Sequence, residues 1–395
     1  MSTITSNRVL PSGWSHRNLG DLVTLSNESG IPNANQAMPF VGMEHIEAQS
    51  GHLLAYGNPS DYKSSSNIVD SNQILYGRLR PYLNKVFIPK ERCFASREFI
   101  PMLMNGEVQQ LFLLHLLRSS DFVEFAVSLN AGDRPRVKWP QMAQFPIALP
   151  PLEEQAKIVE ILEEQLSRLD AALASVRAVR EKSARFRRSL LHAAFTGALT
   201  GHDTSDGTLP DGWVQKQLGE IADVGWGDLQ VTKSSYVANG YLAYSATGAD
   251  GFLDYFDFDE DGIVLSAIGA GCGRTWYAKG RWSCIKNTMR ILEKSKEVNL
   301  GFLFQHLSDP EAWPKRGSGQ PFISQKDARE LEVIIPPLAE QEKIVRILEE
   351  QLSLLDASLA VADAIEKKAS ALRRSLLHAA FNGNLTKEWR EGAHV

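Results

Sequence analysis

The feature that most restricts this chain is a stretch that occurs twice. Residues 149–200 read LPPLEEQAKIVEILEEQLSRLDAALASVRAVREKSARFRRSLLHAAFTGALT, and residues 335–386 repeat it at a constant offset of 186. From Pro150 to Thr200, 34 of 51 positions are identical without a gap, which marks a duplicated element. Each copy opens on a Pro-Pro pair, with Glu153, Glu154 or Glu340 where the positive end of a helix dipole favours acid. Neither copy then contains Gly or Pro until Gly197 or Gly383. This predicts two unbroken helices ending at those glycines, each roughly 65–70 Å long at about 1.5 Å per residue. Apolar positions in the second copy fall at Leu348, Leu352, Leu355, Leu359, Ala362, Ile365, Ala369, Leu372, Leu376 and Ala379. Steps of three and four alternate except at 359–362–365, a discontinuity the first copy repeats at 173–176–179. Such a seam predicts a coiled coil with a local phase shift, each helix being the other's nearest partner.

A second, shorter repeat precedes the helices. Leu10-Pro-Ser-Gly-Trp14, leading to Leu19-Gly20, matches Leu209-Pro-Asp-Gly-Trp213, leading to Leu218-Gly219, at an offset of 199. The order is therefore globular domain (1–149), long helix (150–197), linker (198–208), globular domain (209–335), long helix (336–383) and tail (384–395). Between their common ends the two domains have almost no sequence in common. Short apolar runs at 72–88 and 261–277, and again at 93–104 and 282–292, predict strands joined by Gly- or Pro-marked turns. One shorter helix is expected in each domain, over 107–119 and 299–308. Each domain reads as α+β with a mostly β core.

At 395 residues, 43% hydrophobic and 23% charged, the chain has the composition of a soluble globular protein. Its longest apolar run, 111–117, is far too short to span a bilayer, and its first residues carry no signal-peptide pattern. Three widely spaced cysteines, Cys93, Cys272 and Cys284, form neither a disulfide framework nor a zinc pattern and suit a reducing, cytoplasmic setting. The net charge of −5 excludes a uniformly basic surface, so any nucleic-acid contact must be confined to local loops. Gly269-Ala-Gly-Cys-Gly273 lacks both the GxGxxG spacing and a GK[ST] ending and reads as a turn between strands. The acidic run 257–261 lacks calcium-loop spacing, and the nine histidines form no HExxH set. No nuclease, Walker or [DN]PP[YF] methyltransferase motif is present, so the chain is expected to be non-catalytic and to bind no metal or cofactor of its own.

The alternation of unlike domains with near-identical helices resembles the DNA-specificity (S) subunit of Type I restriction–modification systems. PPLxEQxKIVxILEEQLSxLD and RRSLLHAAFxGxLT resemble that family's central and C-terminal repeats. LPxGW resembles the start of its target recognition domains, and GDRPR and GSGQPFIS resemble their ends. The resemblance covers essentially the whole chain. It implies an α+β fold in which two target recognition domains are separated by two long helices, and the short linker from the first helix into the second domain favours an antiparallel, pseudo-two-fold symmetric coiled coil. It implies double-stranded DNA with a bipartite site as ligand, and two methyltransferase (M) subunits and two restriction (R) subunits as partners. S-adenosylmethionine would then belong to M, and ATP with Mg to R.

The residues support the same role on physical grounds. Two unlike domains on two like helices hold two different readers in one frame, and a bipartite duplex needs two sets of base contacts. Basic clusters beside Gly or Pro turns supply candidates: Arg78, Arg80, Tyr82 and Lys85, then Arg134, Arg136 and Lys138 in the first domain. The second domain offers Arg274, Lys279, Arg281 and Lys286, then Lys315, Arg316, Gln320 and Ser324. Arg suits bidentate reading of guanine and Gln suits adenine, whereas Lys and Gly-loop N–H groups suit phosphate. Each of these residues also has a plain alternative as a solvated or structural group. On the helices, Arg187, Arg188 and His192 recur as Arg373, Arg374 and His378. The arginines either complement the negative helix end or contact a partner subunit or phosphate, and the histidines serve packing or a partner; the sequence leaves these open. Two rival functions remain at this level: an adaptor binding two proteins, and a self-contained enzyme.

Overall fold

The computed structural model describes residues 10–32, 38–129, 132, 134–205, 207–317 and 319–392. The extreme N-terminus, Asp133 of the first basic loop, Asp206 of the linker, Ser318 of the second basic loop and the last three residues lie outside that range. The chain divides into two compact units, residues 1–176 with 363–395 and residues 177–362.

The first unit contains β1 (Ser15–Asn18), β2 (Val23–Leu25), β3 (Ser29–Gly30), β4 (Phe40–Val41) and β5 (Ser66–Val69). After these come β6 (Gln73–Gly77), β7 (Val86–Phe87), β8 (Cys93–Ala95), β9 (Phe99–Met104) and β10 (Pro146–Leu149). An antiparallel sheet runs β2-β9-β6-β7, and a second sheet runs β3-β5-β8-β4 with β4 parallel to β8. β1 pairs with β10 and so ties the start of the domain to its end, directly before the long helix. The single short helix expected over 107–119 is two helices, Gln110–Leu117 and Ser120–Ser128. Ser119 separates them by capping the second, its Oγ accepting from the Phe122 N–H at 3.3 Å.

The second unit contains β11 (Val214–Gln217), β12 (Ala222–Trp226), β13 (Tyr241–Ser245), β14 (Gly248–Leu253) and β15 (Phe258–Asp259). It continues with β16 (Gly262–Ser266), β17 (Thr275–Ala278), β18 (Arg281–Cys284), β19 (Thr288–Glu293) and β20 (Glu332–Ile335). Its first sheet, β12-β19-β16-β17, has the order and directions of β2-β9-β6-β7, and β11 pairs with β20 as β1 does with β10. In the other sheet β13 is parallel to β18 and β15 antiparallel to it, matching β4, β8 and β5. The fourth strand differs: β3 extends the sheet beside β5, whereas β14 extends it beside β13. Unlike sequences thus adopt one topology with one edge strand moved.

The long helices span Leu152–Thr196 and Leu338–Phe381. Each stops at the expected glycine, Gly197 with φ 93° and Gly383 with φ 81°, a conformation that a side chain disfavours. In the first unit Ile158, Leu162 and Leu166 of one helix and Leu377 and Ala380 of the other complete the core of the first domain. In the second unit Ile344, Leu348 and Leu352 join Leu190 and Ala194 in the same way. Burying a Leu or Ile fully is worth about 1.5–3 kcal/mol, so neither domain's core is complete without both helices. Within each unit the two helical segments run antiparallel. Glu154 meets Thr386 while Asp170 meets Arg373 in the first, and Glu340 meets Thr200 while Asp356 meets Arg187 in the second.

The seam corrects one part of the sequence reading. Val179, Ile365 and Leu372, all on the predicted seam or its repeat, are 41%, 41% and 48% exposed, and Phe186, the counterpart of Leu372, is 46% exposed. Of the same predicted seam Ala362 and Ala369 are buried, and the buried line continues through half-buried Arg373 to buried Ala380, both off the predicted seam. At about 100° per residue, Ala369, Arg373 and Ala380 stay within roughly 20° of Ala362, whereas Ile365 lags by about 60° and Leu372 by about 80°. A helix of ordinary pitch cannot follow two successive three-residue steps. The contact line therefore passes through small residues and leaves two large apolar side chains of each copy on its flank. No helix among the described residues is long and apolar enough to cross a membrane.

Candidate nucleic-acid interface

Each domain places its basic loop against the turn that follows its central strand, through the same backbone hydrogen bonds. In the first domain the Arg78 N–H donates to the Glu98 carbonyl at 2.9 Å, Val137 N–H to the Arg78 carbonyl at 3.0 Å, and Arg80 N–H to the Pro135 carbonyl at 2.8 Å. In the second, Ala267 donates to Asn287 at 2.9 Å, Ile323 to Ala267 at 2.8 Å, and Gly269 to Pro321 at 2.9 Å. The two frames correspond bond for bond, so side chains can be matched position by position. Arg78 corresponds to Ala267, Arg80 to Gly269, Glu98 to Asn287, Arg134 to Gln320, Arg136 to Phe322 and Lys138 to Ser324. One scaffold carries two different sets of functional groups.

In the first domain the fold unites Arg78 and Arg136, members of two clusters well separated in sequence. Arg136 Nη2 sits 2.7 Å from Glu98 Oε1, and Arg78 Nε sits 3.4 Å from Glu98 Oε2, so one carboxylate holds two guanidinium groups. Arg80, Arg134 and Lys138 are exposed, and among the described residues no acid pairs with any of them. Tyr82 is exposed beside them, its carbonyl accepting from Gln49 Nε2 at 2.7 Å. Lys85 turns inward. Its Nζ donates to the Met43 carbonyl at 2.6 Å, and burial pushes its ammonium below the usual lysine range although Glu44 opposes this.

In the second domain Arg274, Lys286, Lys315, Arg316 and Gln320 collect at the C-terminal end of β16. Arg274 accepts from the Ser266 N–H through its carbonyl at 2.8 Å, and a Cβ on Gly273 would stand 3.2 Å from Lys315 Cε. Arg316 Nη2 lies 2.5 Å from Asp327 Oδ1, and Ser324 Oγ donates to Asp327 Oδ2 at 2.6 Å. The Arg316 hydrogen bond comes first, then that of Ser324, in holding this carboxyl below its usual range. Ser324 also caps the helix Gln325–Arg329. Lys315 pairs with Glu311 at 2.7 Å. Lys279 and Arg281 stand elsewhere. They flank the turn beyond Ala278, which pairs with Gly262, so they lie at the other end of the strand from Ser266. Arg281 Nε meets both oxygens of Asp259 at 3.1 Å, with the guanidinium over Phe256. The Gly269–Gly273 segment is a turn between β16 and β17, as its spacing predicts.

The twin residues on the helices separate into two kinds. Arg373 pairs with Asp170, and Arg187 lies 3.7 Å from Asp356, both between helices of one unit. His378 Nδ1 lies 3.7 Å from Asp121. Arg188, Arg374 and His192 are exposed, with no acid paired to them among the described residues.

Sequence reasoning missed the residues that fasten each domain to its helix. Glu154 and Glu340, read only as helix-start acids, are anchors. Glu154 accepts from Trp14 Nε1 at 2.9 Å and Thr386 Oγ1 at 2.7 Å and pairs with Arg390. Glu340 accepts from Trp213 Nε1 at 3.0 Å and Thr200 Oγ1 at 2.6 Å, with His202 Nε2 at 2.7 Å. Burial raises the Glu340 carboxyl, but the bonds from Thr200, His202 and Trp213 outweigh it and leave it below the usual range. Gln155 and Gln341 next to them accept from the N–H of Gln109 and Asn299 at 2.8 and 2.7 Å. The signal was present in the sequence as the Trp of each LPxGW and the EQ of each helix, repeated at fixed positions.

Among the described residues no group of three His, Cys, Asp or Glu side chains is placed to hold a metal ion. A family model described as "Type I restriction modification DNA specificity domain" matches residues 11–174 and 210–360. The chain is 24% identical to the Type I restriction enzyme EcoDI specificity subunit of Escherichia coli, over 96% of this chain and 90% of that protein. A chain solved in work on complex assembly and conformational transition of the type I R-M system superposes with a TM-score of 0.68 at 20% identity, covering 96% of this chain and 100% of that one. The HsdS subunit of Thermoanaerobacter tengcongensis superposes at 0.52 and 22%, covering 96% and 99%. At these identities the solved structures speak to the fold.

Proposed function

The chain belongs to the Type I restriction–modification DNA-specificity family, and from that membership we propose that each globular domain reads one half of a bipartite duplex site. The long helices set the distance between half-sites and dock two methyltransferase subunits, to which two restriction subunits add. The observation that carries the reading is the pair of matching backbone frames with unlike side chains, Arg78, Arg80, Arg134 and Arg136 against Ala267, Gly269, Gln320 and Phe322. A shared frame with exchanged donors and acceptors is what two readers of different base sequences require. Docking is supported by the flank of each helix, where Val179 and Phe186 recur as Ile365 and Leu372 beside the exposed Arg188 and Arg374. Partners that are themselves identical need such a repeated surface. On this reading the chain is non-catalytic and binds no cofactor. S-adenosylmethionine belongs to the M subunits, and ATP with Mg to the R subunits.

The test is to exchange residues 10–148 for the recognition domain of another specificity subunit and determine the methylated or bound sequence. One half-site should change and the other persist. Alteration of both would show that the domains are not independent readers. Binding that ignores salt would point to an adaptor, because phosphate contacts impose a steep salt slope.

A further inference from the structure

Arg80 stands in the left-handed backbone region, with φ 53° and ψ 68°. Residues with a Cβ avoid this region because the side chain crowds the next carbonyl, and a residue before proline is steered toward extended backbone. The corresponding position of the second domain is Gly269, φ 102°, which makes the same hydrogen bond to the matching proline carbonyl. The frame therefore calls for a left-handed residue at this point, and the second domain meets it with the residue that adopts it most readily. The first domain places an arginine there instead.

The surroundings indicate what the side chain is for. The turn is held on both sides, by the bridge between Leu79 and Arg136 and by the buried Pro81 that opens the next helical turn. The guanidinium itself is exposed and, among the described residues, has no acid partner, while its neighbours Arg78 and Arg136 share Glu98. A strained backbone fixed in place, bearing a side chain with no acid partner among the described residues, serves to aim that side chain. Phosphate contact needs charge more than aim, and Arg134 and Lys138 on the adjoining loop already supply it. A bidentate contact needs aim, and the rigid guanidinium fork matches the O6 and N7 edge of guanine.

Resting on the DNA-reading role proposed above, we propose that Arg80 determines specificity in the first domain by donating to O6 and N7 of one guanine in its half-site.

The experiment is selection of bound duplexes from a random pool by the full-length chain, comparing wild type with Arg80→Gly and Arg80→Lys. Wild type should select a first half-site containing an invariant guanine. Both variants should lose the preference at that position by roughly tenfold or more while keeping the other positions and the whole second half-site. Arg80→Gly should unfold at the same or higher denaturant concentration than wild type, because glycine relieves the backbone, and this separates lost reading from lost folding. Unchanged selection by Arg80→Gly would overturn the proposal. So would an equal loss on every duplex with a salt slope flatter by about one, the mark of a phosphate contact. A wild-type chain that selects no sequence would instead remove the DNA-reading role itself, and this proposal with it.

Discussion

The two helices and the two domains they carry have diverged in opposite ways. The helices keep most of their sequence, and the domains keep their topology but for one edge strand while exchanging nearly every side chain. The difference follows from what each must satisfy. A helix here has two sides fixed by contacts, the antiparallel seam and the anchors Glu154 and Gln155 or Glu340 and Gln341, and on the docking role proposed above the apolar flank with Phe186 or Leu372 is a third. A substitution on any side meets a constraint. A domain needs only apolar side chains on the inner faces of its sheets, because the ladder and the loop frame are made of backbone. Its loops are free to change provided that the three frame hydrogen bonds remain.

The largest expected effect lies in the length of the helices. If they act as spacers, matched four-residue insertions after Ala174 and after Ala360 lengthen each by about 6 Å, nearly two base pairs at about 3.4 Å each. Four residues also roughly preserve the facing side. Duplexes differing only in spacer length should then show an optimum displaced by one to two base pairs, with both half-site sequences intact. A folded, active variant with an unmoved optimum would show that the helices do not set the distance.

A smaller effect tests whether the repeated anchors are equivalent. Glu154→Gln and Glu340→Gln should each destabilise their own unit by about 1–3 kcal/mol, since donors such as the Trp14 and Trp213 indole N–H lose a charged acceptor. Thermal or urea unfolding would measure it. Because folding lowers the Glu340 carboxyl, its contribution is present above the unfolded carboxylate range and is lost as pH falls through the folded value. A Glu340→Gln curve that stays parallel to wild type in acid would contradict this.

The smallest difference concerns acid sensitivity of the second domain. His306 is packed against Phe195 and Phe302 and accepts from the Ile334 N–H at 3.3 Å; burial pushes its imidazole down to about 4. The unfolded chain binds this proton below about pH 6.5 and the folded chain does not, so stability falls from there toward pH 4 and then levels. His306→Gln should flatten that part of the profile. Monitoring Trp213 or Trp313 fluorescence in single-tryptophan variants would reveal it, and an unchanged slope would remove His306 as the cause.

Features that depend on repetition and on local stereochemistry were legible in the order of residues alone. The helices could be placed to within a few residues because the copies agree and because Gly197 and Gly383 end them in a conformation glycine adopts freely. The order of domains followed from the two offsets, and the Gly269–Gly273 turn from its spacing. Features that depend on contacts between distant segments emerged only once the chain was folded. Sequence periodicity assigned Ile365 and Leu372 to the seam, but the angle between residues on a helix of normal pitch turned them outward. Lys85, Arg316 and Arg281 were equal members of basic clusters until packing gave them the Met43 carbonyl, Asp327 and Asp259. The correspondence of Arg80 with Gly269 was equally hidden. No residue type is shared there, and the common property is a backbone angle that neighbouring strands impose.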